Sequence, residues 1–304
     1  MCSLSVTVVI ATFNRSGLLG RAVQSVLDER WPGVEIVVVD DCSIDDTQAI
    51  VAREFPSARY FRLDQNRGCG AARNRGLREA TNPYVLILDD DDTLLPGALS
   101  LIAARMATVP DLSKYPVVNF ATGDARLEAP FVVARIEDYI TGALQGDFIP
   151  LICRELFLRE NLMYPLTRLG GEHMLWWMIA ERYGIPSWAD KVGTVNADAP
   201  IRLTSVRSQI AYAREHAELQ ERTLNDFTEV LRRQFPAHYT KRLLGAASYR
   251  LLAGDSHEAR SHLRAVAQRH LPRSAVALWA LSFMPTYVIK ECFRLYRRLN
   301  KVRP

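Results

Sequence analysis

The sequence predicts an α/β fold, with a mainly parallel sheet flanked by helices and a helical C-terminal region after it. Three observations predict it. Short β-rich runs alternate with helical periodicity through the first hundred residues; three polar clusters in that stretch each sit just past a strand-like run; and from about Gln209 the pattern is helical. Strands separated by helices need crossover connections, which pair strands in parallel and put helices on both faces of the sheet.

Val6-Thr7-Val8-Val9-Ile10 reads as the first strand. Ser16 is the expected N-cap of a helix in which Leu19, Ala22, Val23, Val26 and Leu27 recur at helical spacing. Trp31-Pro32-Gly33 ends that helix, and Glu35 to Val39 is the second strand. Asp45 or Asp46 caps a helix through Ile50 and Val51 that closes near Pro56. Arg59 to Leu63 is a third, more exposed strand, Gly70 to Ala80 a helix, and Tyr84 to Leu88 a fourth strand introduced by the turn pair Asn82-Pro83. Residues 107–204 hold seven of the prolines and read as loops, short strands and two helices, the clearer one running from Glu172 to Tyr183 and ended by Gly184. Lys241 to Ala253, Gly254-Asp255 and Ser256 to Arg269 read as a helical hairpin with a glycine turn. The expected division is a domain over residues 1–205 and a helical region over 206–304.

The composition, 48% hydrophobic and 24% charged over 304 residues, is that of an ordinary globular protein. The net charge of +4 conceals an asymmetry: residues 205–304 carry 18 Lys/Arg against 8 Asp/Glu, so the front is acidic and the back basic. Five scattered cysteines without C-x-x-C spacing argue for a reducing compartment and against a disulfide framework or thiolate zinc site. There is no signal-peptide pattern at the N-terminus, and the longest apolar stretch, Ala275 to Ile289, is interrupted by Ser282 and Pro285 and short for a membrane span. The expected location is the cytoplasm.

The chemistry concentrates at strand ends. In open parallel sheets ligands bind beyond the carboxyl ends of the strands. There the sequence places Thr12-Phe13-Asn14-Arg15, then Asp40-Asp41-Cys42-Ser43, then four consecutive aspartates, Asp89 to Asp92. Adjacent carboxylates repel, and hard divalent cations seek such oxygen clusters. The same residues also suit an acidic loop before the helix that starts near Pro96.

Four pieces carry a family likeness in order: Val8 to Arg15; Glu35 to Ser43 with Asp45 and Thr47; Asn66-Arg67-Gly68 with Ala72-Arg73-Asn74 and Gly76; and Leu88 to Asp92 with Pro96. In this order the chain resembles the inverting nucleotide-sugar glycosyltransferases of family 2, which have the GT-A fold. The resemblance implies a nucleotide-sugar part over residues 1–105 and an acceptor part over 106–205. It implies a UDP-sugar donor, Mn²⁺ or Mg²⁺ as cofactor, and a glycan or lipid-linked glycan acceptor, in bacterial surface-polysaccharide assembly. Thr12 and Asp41 would hold the base, with Asn14 and Arg15 in the same loop and Asp40 either replacing Asp41 or bracing the turn. Arg67 or Arg73 would be the cationic contact near the ribose and diphosphate. The D-x-D pattern falls on Asp89 and Asp91, with Asp91 the direct metal ligand, Asp89 or Asp90 towards the ribose, and Asp92 left to cap the next helix.

The base is where the sequence departs from the family. The family shows Glu-Asp at the start of a helix reading Leu-Trp-x-Arg-x-Ala, whereas this chain reads Gly171-Glu172-His173-Met174-Leu175-Trp176. Aligning Leu175-Trp176 makes Glu172 the base; aligning the acidic pair makes it His173. A nucleotidyltransferase acting on a sugar phosphate shares an acidic metal site but wants a glycine- and lysine-rich loop after the first strand, and Gly171 at an acidic position leaves room for a non-catalytic scaffold. The 275–304 tail interleaves Trp279, Phe283, Tyr287, Phe293 and Tyr296 with Lys290, Arg294, Arg297, Arg298, Lys301 and Arg303. That pattern suits a basic amphipathic helix on an anionic membrane, peripheral on the cytoplasmic face of the inner membrane. No nucleic-acid partner is expected, because no recognition motif accompanies the charge.

Overall fold

Strands from all of residues 6–194 join one sheet in the computed structural model, which describes residues 4–196, 205–268 and 271–300. Four are the predicted parallel set: β1 (Val6–Thr12), β2 (Glu35–Asp40), β3 (Arg59–Arg62) and β4 (Tyr84–Asp89), in spatial order β3-β2-β1-β4. The apolar runs of β1, β2 and β4 are continuous because both faces are covered, whereas β3, at the sheet edge, is exposed at Arg59 and Arg62. Val6, Val8, Ile10, Ile36, Val38, Leu86 and Leu88 enter one core, and Val9, Val37, Val39, Val85 and Ile87 enter the other. Successive strand side chains point to opposite faces, so a strand buried on both sides has no polar alternate.

Helices α1 (Ser16–Asp28), α2 (Thr47–Glu54) and α3 (Cys69–Glu79) make the crossovers. Leu19, Ala22, Val23 and Val26 are the buried stripe of α1, as their spacing predicts. Its cap differs from the expectation: Ser16 is the first helical residue, and its N–H is satisfied from the next loop by Asp45 Oδ2 at 3.0 Å. Asp45 Oδ1 also accepts from Thr47 N at 3.1 Å, so one carboxylate serves the N-termini of two helices. α3 lies against β1 where Gly76 meets Val9; a Cβ there would come within 2.3 Å of Val9 Cγ1.

Beyond β4 the sheet becomes mixed. β8 (Phe148–Cys153) is antiparallel to β4 and to β6 (Val117–Thr122), and β9 (Ile185–Thr194) is parallel to β6 but antiparallel to β5 (Thr93–Leu94) and β7 (Phe131–Ala134). The helices of this region are α4 (Ala98–Met106), α5 (Ile136–Thr141), α6 (Arg154–Arg159) and α7 (Glu172–Arg182). α4 starts after Gly97, which is left-handed at φ 81°. Asp92 does not cap it. The Glu29 carboxylate, from the end of α1, accepts from Gly97 N at 2.7 Å and Leu99 N at 2.8 Å instead.

The chain divides into two compact units, residues 1–199 and 200–304. Within the second, α8 (Val206–Ala211), α9 (Ala213–Asp226), α10 (Thr228–Arg233), α11 (Pro236–Ala253) and α12 (Ser256–Ala267) surround a core that includes Leu243, Leu251, Leu263 and Val266. The α11–α12 hairpin turns at Gly254, left-handed at φ 88°. The tail is two helices rather than one, α13 (Arg273–Leu281) and α14 (Thr286–Asn300), parted at Ser282 to Pro285. Lys301 and Arg303 lie outside the described residues. Among the described residues no helix is long and apolar enough to cross a membrane.

Candidate active site

The loops after β1 and β2 are fastened together before any ligand is considered. Asn14, left-handed at φ 52°, donates its N–H to Ser43 Oγ at 2.8 Å and accepts at Oδ1 from Ile44 N at 2.8 Å. Asp40 is buried and braces its own turn, accepting from Ser43 N at 2.7 Å and from the Tyr60 hydroxyl. Asp41 is also buried, and its two oxygens accept from the backbone N–H groups of Arg67 and Gly68 at 2.8 and 2.7 Å. Burial pushes the Asp41 carboxyl up against the pull of those two donors. In this arrangement Asp41 holds the third loop to the second, and the Arg67 side chain lies exposed beside it. Gly68 is required there: its φ is 89°, and a Cβ would meet Thr167 O at 2.3 Å.

The four aspartates part company at the end of β4. Asp89, Asp91 and Asp92 bring one oxygen each within 4.8 Å of one another. Asp90 turns the other way and is buried, accepting from Thr12 Oγ1 at 2.7 Å and from Arg15 Nη1 at 2.9 Å. Thr12 and Asp90, both expected at the nucleotide, thus engage each other. Arg15 also reaches Asp91 Oδ2 at 3.2 Å. Asp92 joins the cluster instead of capping α4, and its Oδ1 accepts from Asn196 N at 3.2 Å. Asn196 Nδ2 donates to Asp91 O at 2.9 Å, as does Arg21. Burial and then the charge of Asp89 push the Asp92 carboxyl up to about 7; burial pushes Asp90 up to about 6 against the pull of Arg15 and Thr12. Crowded, partly dehydrated carboxylates of this kind are relieved by a cation, and an all-oxygen donor set is the set that Mg²⁺ and Mn²⁺ take.

Arg73 joins this cluster to the candidate base. It is nearly sealed from solvent, and its guanidinium pairs with Asp89 Oδ1 and with Glu172 Oε1, which lies 99 positions away in sequence. Its Cζ lies 5.3 Å from the centre of the buried Tyr164 ring, and among the described residues neither Arg73 Nε nor the Tyr164 hydroxyl has a partner. Burial works against the charge on Arg73, but Glu172 and Asp89 outweigh it and hold its pKa well above the ordinary arginine value. Two successive left-handed glycines, Gly170 and Gly171, deliver Glu172 as the first residue of α7. Neighbouring Asn74 fixes the opposite wall, exchanging two 2.9 Å hydrogen bonds with the Tyr164 backbone. His173 is half-buried, its ring edge-on to Trp177 at 5.5 Å.

The structure therefore brings together Asp89, Asp91, Arg73 and Glu172, and it puts Thr12, Arg15, Asp40, Asp41 and Asp90 in the supporting hydrogen bonds beneath. Asn196, Arg21 and Tyr164 escaped the sequence reading. Each lies in a region without strand–helix alternation or inside a helix face, and only the β5–β9 pairing carries Asn196 to the aspartates.

Comparison with known proteins agrees with this geometry. The model of the glycosyl transferase family 2 matches residues 7–129. The chain is 44% identical over 101 residues to the succinoglycan biosynthesis protein ExoO of Rhizobium meliloti, covering 33% of this chain and 29% of that protein. It is 40% identical over 182 residues to the GalNAc(5)-diNAcBac-PP-undecaprenol beta-1,3-glucosyltransferase of Campylobacter jejuni, covering 56% of this chain and 58% of that protein. It thus spans 29% and 58% of the lengths of these two relatives. Among solved structures, S. aureus TarS 1–349 in complex with UDP-GlcNAc superposes over 95% of this chain and 91% of its own with a TM-score of 0.57 at 16% identity. A mannosyltransferase from Pyrobaculum calidifontis in complex with GDP-Man and Mn²⁺ covers 96% of this chain and 87% of its own at 0.52 and 19%. At such identities the likeness establishes the fold, which is that of the GT-A glycosyltransferases.

Proposed function

We propose that this chain, whose residues 7–129 form a family 2 glycosyltransferase domain, is a metal-dependent inverting glycosyltransferase. It moves a sugar from a UDP-sugar to a hydroxyl of a glycan or lipid-linked glycan acceptor in bacterial surface-polysaccharide synthesis. The observation that carries the reading is the Arg73 bridge, which holds Glu172 beside an aspartate cluster at the carboxyl end of a parallel strand.

Asp89, Asp91 and Asp92 would hold Mn²⁺ or Mg²⁺, which supplies positive charge where the departing diphosphate gathers negative charge. Glu172 takes the proton of the acceptor hydroxyl as its oxygen attacks the anomeric carbon from the face opposite the diphosphate. The new C–O bond forms, the C–O bond to phosphate breaks, and the electron pair leaves with UDP, so the anomeric centre inverts. Arg73 keeps the Glu172 and Asp89 carboxylates at fixed separation against their mutual repulsion, and Asp41 holds the Arg67–Gly68 loop over the nucleotide. His173, one position on, is the alternative base. The C. jejuni relative is named for a lipid-linked glycan, which supports an acceptor at a membrane. The basic, aromatic 275–304 region suits peripheral contact on the cytoplasmic face.

Calorimetric titration with UDP, GDP and dTDP, each with and without Mn²⁺, tests the donor. UDP binding that requires Mn²⁺ is expected; failure of all three nucleotides to bind overturns the reading.

A further inference from the structure

A second concave site lies elsewhere on the first unit. A cleft of about 380 Å³ opens between the end of α4, the start of β7 and the first half of β9. β9 runs on from the cleft residue Asp190 to Thr194, two residues before Asn196, so six residues, at most roughly 20 Å of extended chain, separate the cleft from the aspartate cluster.

The cleft is built from aromatic faces and one polar pair. The β7–β9 ladder sets Phe131 opposite Trp188, with ring centres 4.9 Å apart and planes inclined by 45°. Trp188 cannot turn away, because its indole stacks on Phe120 at 5.0 Å within 6° of parallel. Phe131 nevertheless stays 42% exposed, with Pro130 beside it and Tyr115 also in the lining. Arg105, in the last turn of α4, forks onto Asp190 with bonds of 2.8 and 2.6 Å. Both partners remain partly exposed, so their outer donor and acceptor positions face solvent as a polar pair without net charge.

We propose that this cleft is a glycan-binding subsite that takes pyranose rings of a neutral oligosaccharide. A pyranose presents an apolar C–H face and a rim of hydroxyl groups. Phe131 and Tyr115 match the first, and the Arg105–Asp190 fork matches the second, offering both donors and acceptors. A neutral lining gives no advantage to a phosphate, a nucleotide or a cation, and an apolar ligand would leave the fork dehydrated and half-used. The volume lies in the range of small-ligand sites, and the lining sits on a β-ladder and a helix, so little ordering is needed on binding. The inference rests on the glycosyltransferase reading for its role. The subsite holds the acceptor chain some distance from the residue being extended, and so favours longer acceptors.

Titration of the full chain with laminarihexaose, cellohexaose and chitohexaose tests this, in the wild type and in Phe131→Ala, Arg105→Ala and Phe131→Tyr. At least one hexasaccharide is expected to bind the wild type, to bind about tenfold more weakly to Phe131→Ala and Arg105→Ala, and to bind undiminished to Phe131→Tyr. UDP titration with Mn²⁺ is expected to be the same in all four, which also shows that each variant is folded. If none of the three sugars binds, or one binds all four proteins equally, the subsite is overturned. Glycan binding that depends on Phe131 while UDP fails to bind sustains the subsite and removes the transferase reading.

Discussion

Arg73 is the residue on which the site turns. A single guanidinium, buried against Tyr164, meets carboxylates from two distant parts of the chain, and it does so as a fork. Replacing it by alanine leaves Glu172 and Asp89 facing each other without a counter-charge, and UDP release is expected to fall about a hundredfold. Arg73→Lys is expected to recover little, because an ammonium is a point charge that cannot engage both carboxylates in one plane. Initial rates of UDP release for the three proteins check this; a lysine variant as fast as the wild type would remove the bridging role. The sequence marks Arg73 only as a cation near the diphosphate, since nothing local announces that Glu172 lies beside it. The aspartates show the same limit. Their number and place after a strand were legible, but Asp90 pointing inward to Thr12 and Asp92 joining the cluster depend on side-chain direction at the strand end.

At the scale of elements, β1, β2 and β4 were legible because strands buried on both faces read as unbroken apolar runs, and β3, half-exposed at the sheet edge, from its place in the strand–helix alternation. Of the N-terminal helix caps only that of α2 was legible, where Asp45 accepts from Thr47 N as its position predicts. The groups that satisfy α1 and α4 come from Asp45 and Glu29, in other segments, so inspection of the preceding few residues looks in the wrong place. The strands beyond residue 107 were obscured as well, because the mixed pairing of β6 to β9 lacks the regular strand–helix alternation of the first hundred residues. Glu35, at the start of β2, ties together the amino-terminal ends of neighbouring strands: its carboxylate accepts from Thr7 Oγ1, Arg59 and the Thr81 N–H. Burial pushes its pKa up, yet these hydrogen bonds outweigh burial and hold it below the ordinary value of 4.5. A carboxylate with a lowered folded pKa contributes stability above its unfolded pKa and loses it as pH falls through the folded one. Glu35→Gln is therefore expected to cost about 1 kcal/mol at pH 7, with the gap to the wild type closing as pH drops below about 4.5. Thermal melts of both proteins from pH 7 to pH 3 check it; a gap independent of pH would show that the carboxylate charge plays no part.

At the scale of the whole molecule, the charge asymmetry read from the sequence follows the division into an α/β unit and a helical unit. In the helical unit Trp279, Phe283, Tyr287, Leu295, Tyr296 and Leu299 are exposed, with Arg294 and Arg298 among them, and Arg260 and Arg264 lie over the Phe283 and Trp279 rings. Exposed apolar and aromatic groups mixed with cations fit an anionic bilayer surface. The full chain is expected to sediment with vesicles containing phosphatidylglycerol and not with pure phosphatidylcholine, and Trp279→Ala/Phe283→Ala is expected to weaken that binding; equal sedimentation with both vesicles would refute the charge dependence. In the proposed function, the carboxyl ends of β1, β2 and β4 and the first turn of α7 form a metal-dependent sugar-transfer site. The most direct measurement is the rate of UDP release from a panel of UDP-sugars with Mn²⁺ and with a chelator, for the wild type, Glu172→Gln and Asp91→Asn. The predicted result is release by the wild type that stops with the chelator and falls at least about a hundredfold in each variant. Undiminished release by either variant, or by the wild type in chelator, would contradict it.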